Sequence, residues 1–121
     1  MTEQCQKNIL IVEDDKEIRE AMKDALEIEG YNVKVASDGN EGLNSLRSSD
    51  STCMILLDLL MPSMSGREFM DIVQKEEKIS TIPIFIHSSI ANKENTTGAA
   101  GWIKKPADLG TILQAVKNHC S

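Results

Sequence analysis

Four places in this chain carry side chains that could do chemistry together: Glu13-Asp14-Asp15, Asp58, Ser88 and Lys105. Each stands at or just past the end of a short apolar run, Ile9-Leu10-Ile11-Val12, Met54-Ile55-Leu56-Leu57, Ile84-Phe85-Ile86 and Trp102-Ile103 respectively. An ionised carboxylate after such a run is costly unless the strand emerges into a crevice that holds water, a cation or hydrogen-bond donors. If the strands are neighbours, Glu13, Asp14 and Asp58 share one crevice. Like charges that close repel and raise one another's pKa unless a cation is bound, and an all-oxygen site with open positions suits Mg²⁺. A hydroxyl from Ser88 and an ammonium from Lys105 facing that cluster make a place for a phosphoryl group, with Asp58 as the nucleophile that forms an acyl phosphate. Taken singly, each residue has a plainer role: helix capping for Glu13 to Asp15, a solvated charge for Lys105 beside Lys104, a loop hydroxyl for Ser88. Their recurrence at successive strand ends favours the joint reading.

The elements that must position these residues alternate along the chain. After the first strand, Asp14 or Asp15 caps a helix whose Ile18, Met22, Ala25 and Leu26 share one face, and Gly30 ends it. Val33 to Ala36 is a short strand, and the turn Ser37-Asp38-Gly39 leads to a helix that turns Leu43 and Leu46 inward. Ser48 to Ser51 is the loop into the central strand, the one buried on both faces, with Cys53 packed in it. Pro62 to Gly66 is a loop, and Phe69, Met70 and Val73 form the stripe of a third helix. A last helix, roughly Asp108 to Asn118, buries Leu109, Ile112, Leu113 and Val116. Strands separated by helices imply right-handed crossovers and a doubly wound α/β parallel sheet, whose strand ends open on one edge.

Composition narrows the function classes. At 121 residues the chain is expected to make one domain, 1–121, without an effector domain, acting through partners or cut from a longer protein. A net charge of -6 argues against a nucleic-acid or anionic-membrane surface. No apolar run has membrane-span length, and the polar N-terminus lacks the core of a signal peptide, so the expected location is cytoplasmic. Cys5, Cys53 and Cys120 are odd in number and far apart, which supports neither a disulfide framework nor a zinc site. His87 reads as a packed or solvent-facing residue at the exit of the fourth strand, and His119 as a residue well placed for the dipole of the last helix.

The set Glu13-Asp14, Asp58 with Met61-Pro62 and Gly66, Ser88 and Lys105-Pro106 resembles the receiver domain of two-component response regulators, over essentially the whole chain from Ile9 to the last helix. The resemblance implies a flavodoxin-like five-stranded sheet of order 2-1-3-4-5. It implies that Asp58 accepts a phosphoryl group from a histidine kinase or phosphotransfer protein. Mg²⁺ would be held by Glu13, Asp14, Asp58 and the backbone carbonyl of Leu60, and Ser88 and Lys105 would contact the phosphoryl oxygens. The Lys105-Pro106 bond would be cis. In that family the hydroxyl after the fourth strand and an aromatic on the fifth form a switch toward an output protein; here they are Ser88 and Trp102.

Several departures from the family pattern matter. Between Ser88 and Gly98 the chain is about one turn short of the usual fourth helix and lacks its apolar stripe, so that helix is expected to be short, frayed or absent. The partner surface that it normally builds does not carry over. Ser65 stands where many relatives have Asp, and Ser88 where Thr is commoner. Leu60 and Ile90 are aliphatic where a hydrolytic water would approach, which implies slow self-dephosphorylation. The leading reading is a signalling receiver, not an enzyme beyond its own phosphotransfer and slow dephosphorylation. The alternatives are a degenerate receiver that binds partners without phosphorylation and a small Mg²⁺-dependent aspartyl-phosphate phosphatase, for which the chain offers neither a general acid nor a cap.

Overall fold

A computed structural model of the chain describes residues 7–48 and 51–120. Cys5, the polar N-terminal stretch 1–6 and positions 49–50 of the loop before the central strand lie outside the described residues. The elements run β1 (Asn8–Val12), α1 (Lys16–Ile28), β2 (Asn32–Ala36), α2 (Gly39–Arg47), β3 (Thr52–Leu57), α3 (Gly66–Lys75), β4 (Ile84–Ser88), β5 (Gly101–Lys104) and α4 (Leu109–His119). All strand pairs are parallel, in the order β2-β1-β3-β4-β5.

The apolar runs become the sheet interior because both sides of each strand are covered. On one side Leu10, Val12, Ile55, Leu57 and Ile86 pack with Phe69, Met70 and Val73 of α3 and Leu43 and Leu46 of α2. On the other, Ile9, Ile11, Met54 and Leu56 meet Met22 and Leu26 of α1 and Ile112, Ala115 and Val116 of α4. Burying ten or so such side chains per face, at about 1.5–3 kcal/mol each, is what seats the helices. Each helix starts on a side-chain cap: Asp15 accepts from Ile18 N, Asp38 from Glu41 N, Ser65 from Glu68 N and Asp108 from Thr111 N. At Ser65 the cap is reciprocal, since the Glu68 side chain reaches back to the Ser65 amide.

Two expectations need correction, and one is met. Cys53 and Cys120 form a disulfide, with an S–S distance of 2.04 Å and Cα atoms 5.7 Å apart, so Cys53 does not merely pack. They are separated by 67 positions in sequence, and only the parallel topology brings the start of β3 to the end of α4. Leu109 is exposed rather than buried, because the first turn of α4 stands at a cavity mouth beside Pro106 and Ala107. Residues 89–100 form turns and bends with no α-helix, in line with the missing apolar stripe. That segment is held by Asn92 and Asn95, whose side chains each accept from the other's backbone amide at 2.8 Å.

Candidate functional site

Parallel pairing carries the carboxylates to one edge. Val12 lies opposite both Ala36 and Leu57, and the chain continues one step past each strand: Glu13 N donates to Ala36 O at 3.0 Å, Asp58 N to Val12 O at 3.1 Å. Glu13 and Asp58 are buried, whereas Asp14 is exposed. Carboxylate oxygens of Glu13, Asp14 and Asp58 lie within 4.8 Å of one another, a spacing that one hard cation could span.

Lys105, from the end of β5, reaches this cluster. Its Nζ donates to Glu13 Oε1 at 2.6 Å and to Asp58 Oδ2 at 3.1 Å. The other oxygens are engaged by backbone: Asp15 N donates to Glu13 Oε2 at 3.2 Å, and Leu60 N to Asp58 Oδ1 at 3.1 Å. Burial pushes the Glu13 carboxyl up to about 6 even though hydrogen bonds from Lys105 and the Asp15 amide pull it down. Burial works to lower the Lys105 ammonium, but the hydrogen bonds to Glu13 and Asp58 outweigh it and hold the pKa above its ordinary value. The bond from Lys105 to Pro106 is cis.

The loop after Asp58 is closed by Gly66. Gly66 N donates to Leu59 O at 2.9 Å, and a Cβ at this position would fall 2.4 Å from Asp58 O and 2.6 Å from Leu59 Cα. No other residue allows the start of α3 so near the backbone beneath Asp58. Ser63 holds a left-handed φ of 66° within the same loop. Leu60 and Ile90, from the loops after β3 and β4, are half-exposed.

Ser88 ends β4, fully buried, and its carbonyl accepts from Lys105 N at 3.1 Å, which ties it to the Lys105 backbone. Its Oγ accepts from Ile90 N at 3.5 Å, so the hydroxyl turns to its own loop. Trp102 is opposite Ile86 on edge strand β5 and is half-exposed.

Two residues matter more than their spacing suggested. Arg19 of α1 donates to Glu13 O at 2.9 Å and so clamps the acidic turn from outside. His87 is buried, and neither ring nitrogen has a hydrogen-bond partner among the described residues. It backs an apolar cavity of about 280 Å³ that Ile18 and Met22 of α1, Leu109 and Ile112 of α4, and Lys105 also line. Burial first, and then the Lys105 charge, push its pKa down to about 4, against the pull of Asp58. His119, by contrast, bonds Ala115 O through Nδ1 at 2.8 Å and meets the Phe85 ring edge-on.

The model of the response regulator receiver domain matches residues 9–117. The chain belongs to that family. This receiver is 36% identical over 115 residues to the transcriptional regulatory protein CseB of Streptomyces coelicolor, which covers 91% of the chain and 47% of that protein. A 14.6 kDa uncharacterized protein of Leptolyngbya boryana is 30% identical over 121 residues, 96% of the chain and 92% of that protein. The receiver spans about half the length of several curated relatives it matches, 49%, 47% and 54% in three of them. Among solved structures, the chemotaxis protein CheY4 of Vibrio cholerae superposes with a TM-score of 0.87 at 28% identity, covering 94% of this chain and 98% of that one. TrrA of Thermotoga maritima, solved in complex with Mg²⁺-BeF, superposes at 0.82 with 28% identity, covering 93% and 97%. The family is that of two-component signalling, and the sheet order is the flavodoxin-like one.

Proposed function

We propose that Asp58 accepts a phosphoryl group from a histidine kinase or phosphotransfer protein. The observation that carries this reading is Lys105 Nζ bridging the buried carboxylates of Asp58 and Glu13. An Asp58 oxygen attacks phosphorus, the bond from phosphorus to the donor breaks, and the donor leaves with the electron pair. Lys105 then follows the added charge by exchanging Asp58 for a phosphoryl oxygen, and Ser88 supplies the hydroxyl hydrogen bond once its Oγ leaves the Ile90 amide. The hard oxygen donors of Glu13, Asp14 and Asp58 fit Mg²⁺, with the Leu60 carbonyl as a further ligand. When bound, Mg²⁺ neutralises the charge that three carboxylates and a phosphoryl group would otherwise concentrate.

The output is a change of partner binding by population shift, in which the phosphoryl group makes contacts only when Ser88 and Trp102 take the active arrangement. The chain works as a cytoplasmic receiver rather than as a metabolic enzyme. Its own acidic surface does not bind nucleic acid or membrane, and it speaks to an output protein. Since residues 89–100 hold no α-helix, that protein meets a surface built of turns and the exposed face of β5.

Intact mass after incubation with acetyl phosphate and Mg²⁺ tests the reading. The wild type gains one phosphoryl group and Asp58→Asn gains none. A wild type without adduct, and without a Trp102 fluorescence response to beryllofluoride, would leave the degenerate, phosphorylation-independent receiver instead.

A further inference from the structure

At the sheet edge opposite the carboxylates, Cys53 near the start of β3 and Cys120 at the C-cap of α4 are joined, and both are only part-buried. They border an open cavity of about 570 Å³ with Tyr31, Pro83 and His119. We propose that this pair is a reversible thiol–disulfide site that small dithiols and dithiol proteins reduce in the folded protein, and that its redox state sets how firmly the C-terminal half of α4 is seated.

Three observations carry the proposal. The first is access, since a disulfide that lines an open cavity can be reached by an attacking thiolate without unfolding. The second is that the reduced form has a place to go. Cys53 Sγ lies 3.5 Å from Asn8 O, so the thiol freed on reduction finds an acceptor with no rearrangement of β3. The third is position. Along α4, Ile112, Ala115 and Val116 are buried, Leu113 is partly so and Leu109 is exposed, and past Val116 the helix meets the sheet through the edge-on contact of His119 with Phe85, so the covalent link secures an end that few side chains hold. The near end of that helix is capped by Asp108, three residues beyond Lys105. In a reducing compartment, disulfides tend to be transient, catalytic or redox-sensing rather than permanent.

The chemistry balances with a dithiol as reductant. Its thiolate attacks Cys120 Sγ, the bond to Cys53 Sγ breaks, and Cys53 leaves as a thiolate that takes up a proton. The second thiolate of the reductant attacks the mixed disulfide and releases Cys120. Two electrons and two protons pass to the protein, and the dithiol ends as a disulfide.

The test uses the full chain carrying Cys5→Ser, so that Cys53 and Cys120 supply the only thiols. Native protein is treated with iodoacetamide before and after millimolar dithiothreitol, without denaturant, and adducts are mapped by mass. The expected result is no label before reduction, two labels after it, and reversal by a small disulfide. Amide hydrogen exchange then reads the helix: residues 112–119 exchange at least about tenfold faster in the reduced protein, while residues 54–57 stay protected. Labelling before reduction, reduction only in urea, or unchanged exchange in α4 would each overturn the proposal. Cys120→Ser should reproduce the fast exchange of the reduced form. If that variant fails to fold, the labelling and exchange of the parent chain decide alone.

Discussion

Lys105 Nζ stands 2.6 Å from Glu13 Oε1 and 3.1 Å from Asp58 Oδ2, so one ammonium bridges two buried carboxylates that arrive from different strands. The contact gives opposite expectations for two properties of the same site. A cation that binds between Glu13, Asp14 and Asp58 has to compete with Lys105, whereas a phosphoryl group taken up as proposed above would need it. Lys105→Ala is therefore expected to bind Mg²⁺ more tightly, by roughly tenfold, or about 1.4 kcal/mol. It should take phosphoryl groups from acetyl phosphate more slowly, by ~10² or more, the usual cost of removing one donor aimed at developing charge. Calorimetric Mg²⁺ titration and the rate of adduct formation check the two halves. A variant that loses both together would place Lys105 in scaffolding rather than in charge compensation.

Glu13 and His87 bend the pH dependence of stability in opposite directions. Glu13 titrates near 6 in the folded protein against an ordinary 4.5, so the folded state holds the proton more tightly and stability falls as pH rises from 4.5 to 6. At about 1.4 kcal/mol per unit this is about 2 kcal/mol. His87 titrates near 4 against 6.5, so the unfolded chain binds the extra proton and stability falls as pH drops from 6.5 to 4, by about 3 kcal/mol. The two offset each other in the metal-free wild type. Urea midpoints in the presence of EDTA at pH 4 and 6.5 should show Glu13→Gln gaining more from the higher pH than the wild type, and His87→Phe gaining less. Parallel shifts in both variants would exclude this assignment.

Gly66 is expected to tolerate no side chain. Its missing Cβ is what lets α3 begin against Asp58 O and Leu59 Cα, and both obstructing atoms are backbone that cannot swing away. Gly66→Ala should cost about 1–3 kcal/mol of stability, the range for overpacking a closed site. On the proposed reading it should also slow phosphorylation, because one of the displaced atoms is the carbonyl oxygen of Asp58. By comparison, Gly30→Ala ends α1 at φ 97° with nothing near it, so its strain should lower stability and leave the phosphorylation rate unchanged.

Much of this arrangement was legible in the sequence because it follows from strand ends. Continuous apolar runs of strand length that alternate with helical stripes favour central strands of a parallel sheet, and such a sheet brings Glu13, Asp58, Ser88 and Lys105 to one edge. The absent helix between β4 and β5 was legible too, as a segment without an apolar stripe. Contacts made by topology alone were not. Nothing in the spacing of Cys53 and Cys120 says that they touch, since they meet across opposite ends of a helix and a strand. Leu109 kept the helical period but belongs to a first turn that reaches past its cover. The reciprocal cap of Ser65 and Glu68 was written in the S-x-x-E pattern, where Ser65 otherwise looked like a mere departure from its relatives. His87 could be placed at a strand exit, but only the register of β4 shows that its ring turns to the α1 and α4 side.

Leu60 and Ile90 bear on how long a phosphoryl group would stay. They lie two residues past Asp58 and Ser88 and are 51% and 45% exposed, so they rim the site as aliphatic walls rather than as buried core. An acyl phosphate is lost when a water lines up behind phosphorus, and neither side chain can orient or deprotonate one. The phosphorylated wild type is expected to persist about tenfold longer than Leu60→Asn/Ile90→Glu, a modest share of the ~10²–10⁴ that a positioned base contributes. Both positions are half-exposed, so the double variant should keep its fold and its Mg²⁺ affinity, and only the decay of the adduct by mass should change. A wild-type lifetime no longer than that of the variant would show that water reaches the phosphoryl group by another path, and that these two side chains do not guard it.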